Sequence, residues 1–175
     1  MKKIFIVLAM LMSCSLFAEV TQSTTYYNTF ENPVCSDAPF KAEYHFTKNL
    51  QTGKTDSYIT LKADGKNYES SFIYLLLNVH IETLNEIYNE LNYAVNYVVP
   101  FIETEKRTPY YTELKTLKMR FTVRQSVYGL GDDSCFIPLD KVKPFSEMFM
   151  QICLKFYEHQ KKFESTCLPV KPFSK

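Results

Sequence analysis

The sequence has little glycine and proline and almost no net charge. Only 4 of its 175 residues are glycine and 8 are proline, which excludes a collagenous or low-complexity chain. Its 46% hydrophobic and 15% aromatic residues also exclude a disordered one. The 20 basic and 19 acidic side chains give a formal net charge of +1, without the basic excess typical of nucleic-acid-binding domains. We therefore expect one globular domain that does not bind nucleic acid.

A long hydrophobic run is also missing, but a short one stands at the start of the chain. Two lysines precede an unbroken apolar stretch over residues 4–12, and small residues follow over 13–18. This order is typical of a secretory signal peptide. The apolar stretch is too short for a transmembrane helix, which needs about 20 apolar residues. We predict a signal peptide over 1–18 and a single domain over 19–175, exported to the bacterial periplasm with no transmembrane helix left after cleavage.

Two other cleavage patterns overlap with this one. Cutting after Ser15 would place small residues at both positions that the peptidase recognises. The stretch that ends in Cys14, Leu-Met-Ser-Cys, resembles a bacterial lipobox. In that case Cys14 would be lipidated, and the domain would be anchored to a membrane. Release outside the cell is a further alternative to the periplasm.

Four cysteines remain after the leader, namely Cys35, Cys135, Cys153 and Cys167. An even number in an exported chain predicts two disulfides, and the spacing matches no zinc module. A helix that starts before Cys153 would carry it too far from Cys167 for a bond between these two. Two connectivities remain open: Cys135–Cys153 with Cys35–Cys167, and Cys35–Cys153 with Cys135–Cys167.

Alternating apolar and polar residues predict the strands. The alternation over 40–46 and again over 58–63, with Gly53 between, predicts a hairpin over about 40–63. A similar alternation predicts a further strand over about 116–128, followed by a loop over 129–134 that contains two glycines. These strands would form a small antiparallel sheet.

Apolar residues three and four positions apart predict two helices. From Leu77 to Val98 this spacing predicts a long helix over about 71–98, which Pro100 would end. Five apolar residues from Phe145 to Phe163 predict a C-terminal helix over about 144–164. The fold class expected is α+β, a small antiparallel sheet packed with the two helices.

Signatures of catalysis and of cofactor binding are missing from the sequence. It contains no H-E-x-x-H, no G-x-S-x-G, no S-x-x-K and no complete G-x-G-x-x-G motif. We expect no cofactor and no metal, and we favour a protein that is not an enzyme. A small envelope hydrolase is the alternative, because four carboxylates lie in or near expected loops, those of Glu103, Glu105, Asp132 and Asp133.

Tyrosine and basic residues supply the candidate interaction surface. Tyrosine offers a large apolar ring with a polar tip, and four tyrosines fall outside the periodic segments: Tyr26, Tyr27, Tyr110 and Tyr111. A basic strip follows the third predicted strand, with Lys118, Arg120 and Arg124. We predict a macromolecule-binding module such as an inhibitor or immunity-type protein, whose partner is a protein or an envelope component. The sequence does not indicate the oligomeric state.

The leader can be tested by the mass of the intact protein recovered from a bacterial envelope. We expect a mature chain that begins at Leu16 or Glu19. A diacyl or triacyl mass on Cys14 would show the lipid anchor instead, and Cys14→Ala should then move the protein from the membrane to the soluble fraction. A chain that still begins at Met1 would contradict both.

Overall fold

A computed structural model describes residues 20–36, 38–63, 74–110, 112–132 and 135–169. The predicted signal peptide, Cys14, Tyr111 and Asp133 lie outside these residues. Two four-stranded antiparallel sheets and two helical segments make up the described chain, which confirms the predicted α+β class. No helix within the described residues is both long and apolar enough to cross a membrane.

The two sheets follow each other along the chain. Sheet A has the order β1-β2-β3-β4, with β1 Thr21–Phe30, β2 Phe40–Asn49, β3 Thr55–Ala63 and β4 Tyr74–Val79. Sheet B has the order β5-β6-β7-β8, with β5 Glu113–Leu114, β6 Met119–Arg124, β7 Val127–Gly131 and β8 Phe136–Pro138. Along the chain, the two sheets are connected by α1 Ile81–Tyr93, a five-residue π segment Ala94–Val98 and α2 Val99–Glu105. Sheet B is followed by α3 Leu139–Thr166.

The predicted hairpin over 40–63 is confirmed as β2 and β3. Residues that face the helices are fully buried along β2, while their neighbours turn to the outer face. The turn is built on Asn49, whose side-chain oxygen accepts the N–H groups of Gln51 and Thr52, each at 2.9 Å. Gly53 closes the turn with a φ of 74°, a conformation that glycine adopts without a steric cost.

Strand β1 was not predicted. It pairs with β2 along its whole length, from Thr21 opposite Asn49 to Phe30 opposite Phe40. Its residues are half-buried or exposed because the strand lies at the edge of sheet A, so no apolar alternation marks it. Its threonines and tyrosines, which favour strands, were the signal that the sequence offered.

The predicted helix over 71–98 begins too early. Tyr74–Val79 forms strand β4, which pairs with β3 through an irregular register near Ile59, and α1 begins only at Ile81. Leu77, which the helical spacing included, lies in this strand with 54% of its surface exposed. The periodicity failed here because a short strand and a helix followed each other with compatible spacing.

The same prediction also ends too early, because the helix runs through Pro100 to Glu105. A proline ring normally clashes with the carbonyl group four residues before it. Here the turn before Pro100 is widened, and Val99 donates its N–H to the carbonyl of Ala94, five residues back. Such π turns accommodate irregularities within helices, and this one lets the helix continue past the proline. The helix ends at Lys106, with a φ of 52°.

The strand predicted over 116–128 is two strands. Gln125 and Ser126 have φ values of 49° and 65°, as a two-residue type I′ turn requires, and they join β6 to β7. The predicted loop over 129–134 is wrong for its first three residues, which belong to β7. Gly129 is needed in this strand because a Cβ atom there would lie 2.4 Å from the carbonyl oxygen of Ile137.

Helix α3 contains the predicted C-terminal helix, and it packs on the inner face of sheet A. The ring of Phe145 meets that of Phe40 at 6.0 Å between centroids, and those of Phe156 and Phe163 meet Phe46 at 5.1 and 5.5 Å. Tyr44 is fully buried and donates its hydroxyl proton to the carbonyl of Ile152 at 3.1 Å. Burial raises the pKa of this phenol well above its usual range, so the donor stays protonated.

No disulfide joins the four cysteines in the structure, and its geometry conflicts with one of the two predicted connectivities. The 28 residues of α3 extend over about 40 Å, so Cys135 lies at least about 20 Å from Cys167. A disulfide needs Cα atoms within about 7 Å, which excludes the connectivity with Cys135–Cys167. The connectivity Cys135–Cys153 with Cys35–Cys167 stays a prediction.

We expect Phe156→Ala to lower the free energy of unfolding by about 3–5 kcal/mol because it leaves a cavity between α3 and sheet A. Tyr44→Phe should cost about 1 kcal/mol, the net value of one hydrogen bond. Urea titration followed by circular dichroism measures both. The exposed Val127→Ala is the control, with an expected change within about 0.5 kcal/mol. A Phe156→Ala variant as stable as this control would contradict the packing.

Candidate interaction surface

An open groove lies between helix α1 and the segment that leads into sheet B. We call it the tyrosine groove. It has a volume of about 560 Å³. Its helix wall consists of Asn89, Glu90 and Tyr93 and its other wall of Pro109, Tyr110, Thr112, Glu113 and Leu114.

Three tyrosine rings are exposed at this groove and beside it. Tyr93 is 57% exposed, Tyr97 is 66% exposed and Tyr110 is 90% exposed. The rings of Tyr93 and Tyr97, one helical turn apart, contact each other at 5.0 Å between centroids. Large aromatic rings that are exposed in the isolated chain are typical of surfaces that another molecule covers.

The two walls are held together by one carboxylate. Both oxygens of Glu90 accept the backbone N–H of Thr116, at 3.1 and 3.0 Å, and one of them also accepts the Thr116 hydroxyl at 3.0 Å. Hydrogen bonds to a charged acceptor are roughly twice as strong as neutral ones. Leu114 and Leu117 on either side are buried in the core, so the groove is preformed in the isolated chain.

The short connection between the walls is also fixed. The guanidinium of Arg107 lies over the ring of Phe101 at 5.7 Å, and Tyr128 donates its hydroxyl proton to the carbonyl of Lys106. The left-handed conformation of Lys106 turns the chain back toward α1. These contacts limit the number of conformations that segment 106–110 can adopt.

The predicted basic strip does not form a separate cationic surface. Arg120 pairs in register with Glu113, and both line a small cleft together with Lys118 and Asp132. Arg124 donates to the carbonyl oxygen of Asp132 and lies over the ring of Phe136 at 5.5 Å. Acidic and basic groups are therefore mixed on this side of sheet B.

Only one of the predicted surface tyrosines that the structure describes lies in the groove. Tyr110 does, whereas Tyr27 is 69% exposed on the outer face of sheet A. Tyr26 is half-buried, with its ring stacked on His159 at 4.5 Å and Lys162 above it at 5.3 Å. Burial lowers the pKa of His159, which favours a neutral ring in this stack.

The sequence did not indicate Tyr93 or Tyr97, which both fall within the helix predicted over about 71–98. Ala94 and Val98, each the next residue after one of these tyrosines, are buried. The usable signal was the spacing of the two tyrosines by four positions, next to Asn92 and Asn96 on the polar side of the helix. A tyrosine pair within an asparagine-rich face is more typical of a surface than of a core.

The three described carboxylates of the hydrolase alternative lie in two different parts of the fold. Glu103 and Glu105 belong to α2 rather than to a loop, and Glu105 lies 4.0 Å from Arg107. The Asp132 carboxylate accepts the N–H of Cys135 at 2.7 Å. No group of three or more histidine, cysteine, aspartate or glutamate side chains in the described chain is arranged to hold a metal ion.

A hydroxyl, an imidazole and a carboxylate do meet on the outer face of sheet A. The Thr25 hydroxyl lies 3.0 Å from Nδ1 of His45, whose Nε2 lies 3.5 Å from Glu43. Acyl transfer also needs backbone donors that stabilise an oxyanion. His45 and Glu43 lie within β2, a strand paired on both sides. Its N–H groups are therefore committed to the sheet, and we assign this cluster to sheet stability.

The thiols are also poor candidates for catalysis. Burial raises the pKa of Cys153 to about 11. Burial and then the nearby Asp132 carboxylate raise the pKa of Cys135 well above its usual range. Because the thiolate is the nucleophile, a raised pKa favours the less reactive thiol form of these two cysteines at neutral pH.

Glu90 provides a test of the groove. We expect Glu90→Gln to lower the free energy of unfolding by about 1 kcal/mol and Glu90→Ala by about 2 kcal/mol, since the second leaves the Thr116 donors without an acceptor. Amide hydrogen exchange at Thr116 should become faster in the same order. Glu86→Gln, one turn earlier on α1, is the matched control. Unchanged exchange at Thr116 in Glu90→Ala would show that the carboxylate does not hold the walls together.

Comparison with known proteins leaves the groove to be interpreted from its own residues. No family model, no curated protein and no solved structure matches the chain.

Proposed function

We propose that this protein is a non-enzymatic binding module of the bacterial cell envelope, and that the tyrosine groove is its contact surface for a protein partner. The observation that supports this most directly is the set of three exposed tyrosine rings beside a preformed groove. Tyrosine contributes strongly to protein interfaces because it offers a large contact area at a low cost in side-chain entropy.

The composition of the groove favours a protein over a small ligand. The groove has a wide opening, and its exposed tyrosine rings lie at the rim. A site for a small molecule is usually an enclosed cavity that surrounds its ligand. Glu113 lies in its wall and adds a negative charge, while the leucine beside it is buried. A partner that inserts an apolar side chain and carries a basic group nearby would complement this arrangement.

The envelope location is supported by the leader predicted over residues 1–18. An inhibitor or immunity-type role fits a small module that recognises one partner through a preformed surface. Rigid walls lower the entropy that binding costs, and the bonds from Glu90 to Thr116 supply that rigidity.

Photo-crosslinking tests the groove as the contact surface. A photoreactive phenylalanine placed at Tyr97, in the organism that makes the protein, should give a discrete adduct with an envelope protein on irradiation. The same label at Tyr157, a half-exposed tyrosine on α3, is the control and should not give this adduct. A double variant with Tyr93→Ala and Tyr110→Ala should bind the captured partner at least about tenfold more weakly, since each substitution removes an anchor ring.

Three results would contradict the proposal. They are the absence of an adduct at Tyr97, the same adduct from both labels, and an affinity for the captured partner that does not change in the double alanine variant. Circular dichroism of the double variant should match that of the wild type, because both side chains are exposed.

A further inference from the structure

Strand β1 presents a long edge that no other described strand pairs with. In the order β1-β2-β3-β4 it pairs with β2 alone. Natural proteins protect such edges with charges, prolines or bulges, because an open edge is a template for another chain. Residues Thr21–Phe30 contain no charged residue and no proline, and their pairing with β2 has no shift in register.

The hydrogen-bond pattern identifies the residues that face this edge. Leu50 donates its N–H to the carbonyl of Val20 at 2.8 Å, so these two form a hydrogen-bonded pair. Bonded and non-bonded pairs alternate along an antiparallel ladder. The even-numbered residues of β1 therefore bond to β2, and the odd-numbered ones turn their backbone N–H and C=O groups to the open edge: Thr21, Ser23, Thr25, Tyr27 and Thr29.

We propose that β1 pairs antiparallel with β1 of a second copy of this chain, centred on Thr25, so that two copies of sheet A form one eight-stranded sheet. In this register Thr25 lies opposite Thr25 of the second copy. Ser23 lies opposite Tyr27, and Thr21 lies opposite Thr29. The five outward residues of each copy then make about ten backbone hydrogen bonds between the copies.

A second copy fits this edge because the edge is complementary to itself. A symmetric dimer needs one patch that contacts the same patch on its partner, and this register makes every pair reciprocal. No like charges meet, because the strand has none, and the formal net charge of +1 produces little repulsion between copies. Hydroxyl and tyrosine side chains are also favourable cross-strand neighbours.

The edge is already ordered in the single chain. The Ser23 hydroxyl bonds to that of Thr47 at 3.1 Å, and the Thr25 hydroxyl bonds to His45 at 3.0 Å. On the inner face, Tyr26 is held between His159 and Lys162. Side chains that are fixed before association lose less entropy when the dimer forms.

Two double variants test both the dimer and its register. Analytical ultracentrifugation of the mature chain over a range of concentrations should show a monomer–dimer equilibrium. S23K/Y27K places two lysines opposite each other twice in the dimer and should raise the dissociation constant about tenfold or more. S23K/Y27E places a lysine opposite a glutamate twice and should keep a dissociation constant close to that of the wild type.

The control is V123K/V127K, which adds the same charge at two exposed positions of sheet B and should not change the equilibrium. A wild-type chain that stays monomeric would overturn the proposal and leave the edge for a strand of another protein. A dimer that resists S23K/Y27K would place the interface elsewhere, and equal weakening by both β1 variants would overturn the register centred on Thr25. These changes lie outside the tyrosine groove, so crosslinking at Tyr97 tests the proposed function separately.

Discussion

The contact between the aromatic face of β2 and helix α3 is the constraint on which the other elements depend. Phe40, Tyr44 and Phe46 are fully buried under Phe145, Phe156 and Phe163 of the helix. Because these rings are spread along most of α3, the helix cannot slide or rotate without exposing one of them to water. Helix α1 packs on α3, and sheet B packs on the first part of α3. The position of the tyrosine groove, which lies between α1 and sheet B, therefore follows from this aromatic contact.

Regular periodicity explains which parts of the fold the sequence could predict. Strands β2 and β3 and helix α3 each bury one continuous face, so their apolar residues recur at the period of the element. Strand β1 lies at an edge and lacks such a face, and β4 is too short to be distinguished from the helix that follows it. The passage of the helix through Pro100 depends on a π turn, and no periodic pattern encodes such a turn in advance.

The candidate site was harder to predict, for two physical reasons. Exposed residues are not constrained by packing against the core, so Tyr110 carries no periodic signal and Tyr93 is hidden within a helical one. The even number of cysteines likewise carries no information about the distances between them. The even number of thiols left two connectivities open, and α3 separates Cys135 from Cys167, a pair that only one of them joins. An arrangement in space, rather than a pattern along the chain, decides both cases.

Both walls of the tyrosine groove come from one continuous stretch of chain, residues 89–114. The bend at Lys106, the residues up to Tyr110 and Thr112 lie outside the buried aromatic contact, while Leu114 and Leu117 anchor the segment beyond them. Insertions and deletions are tolerated in surface connections of this kind. Over evolution, a change in the length of this connection would widen or narrow the groove while the core stays intact. One short segment therefore sets the width of the groove independently of the core.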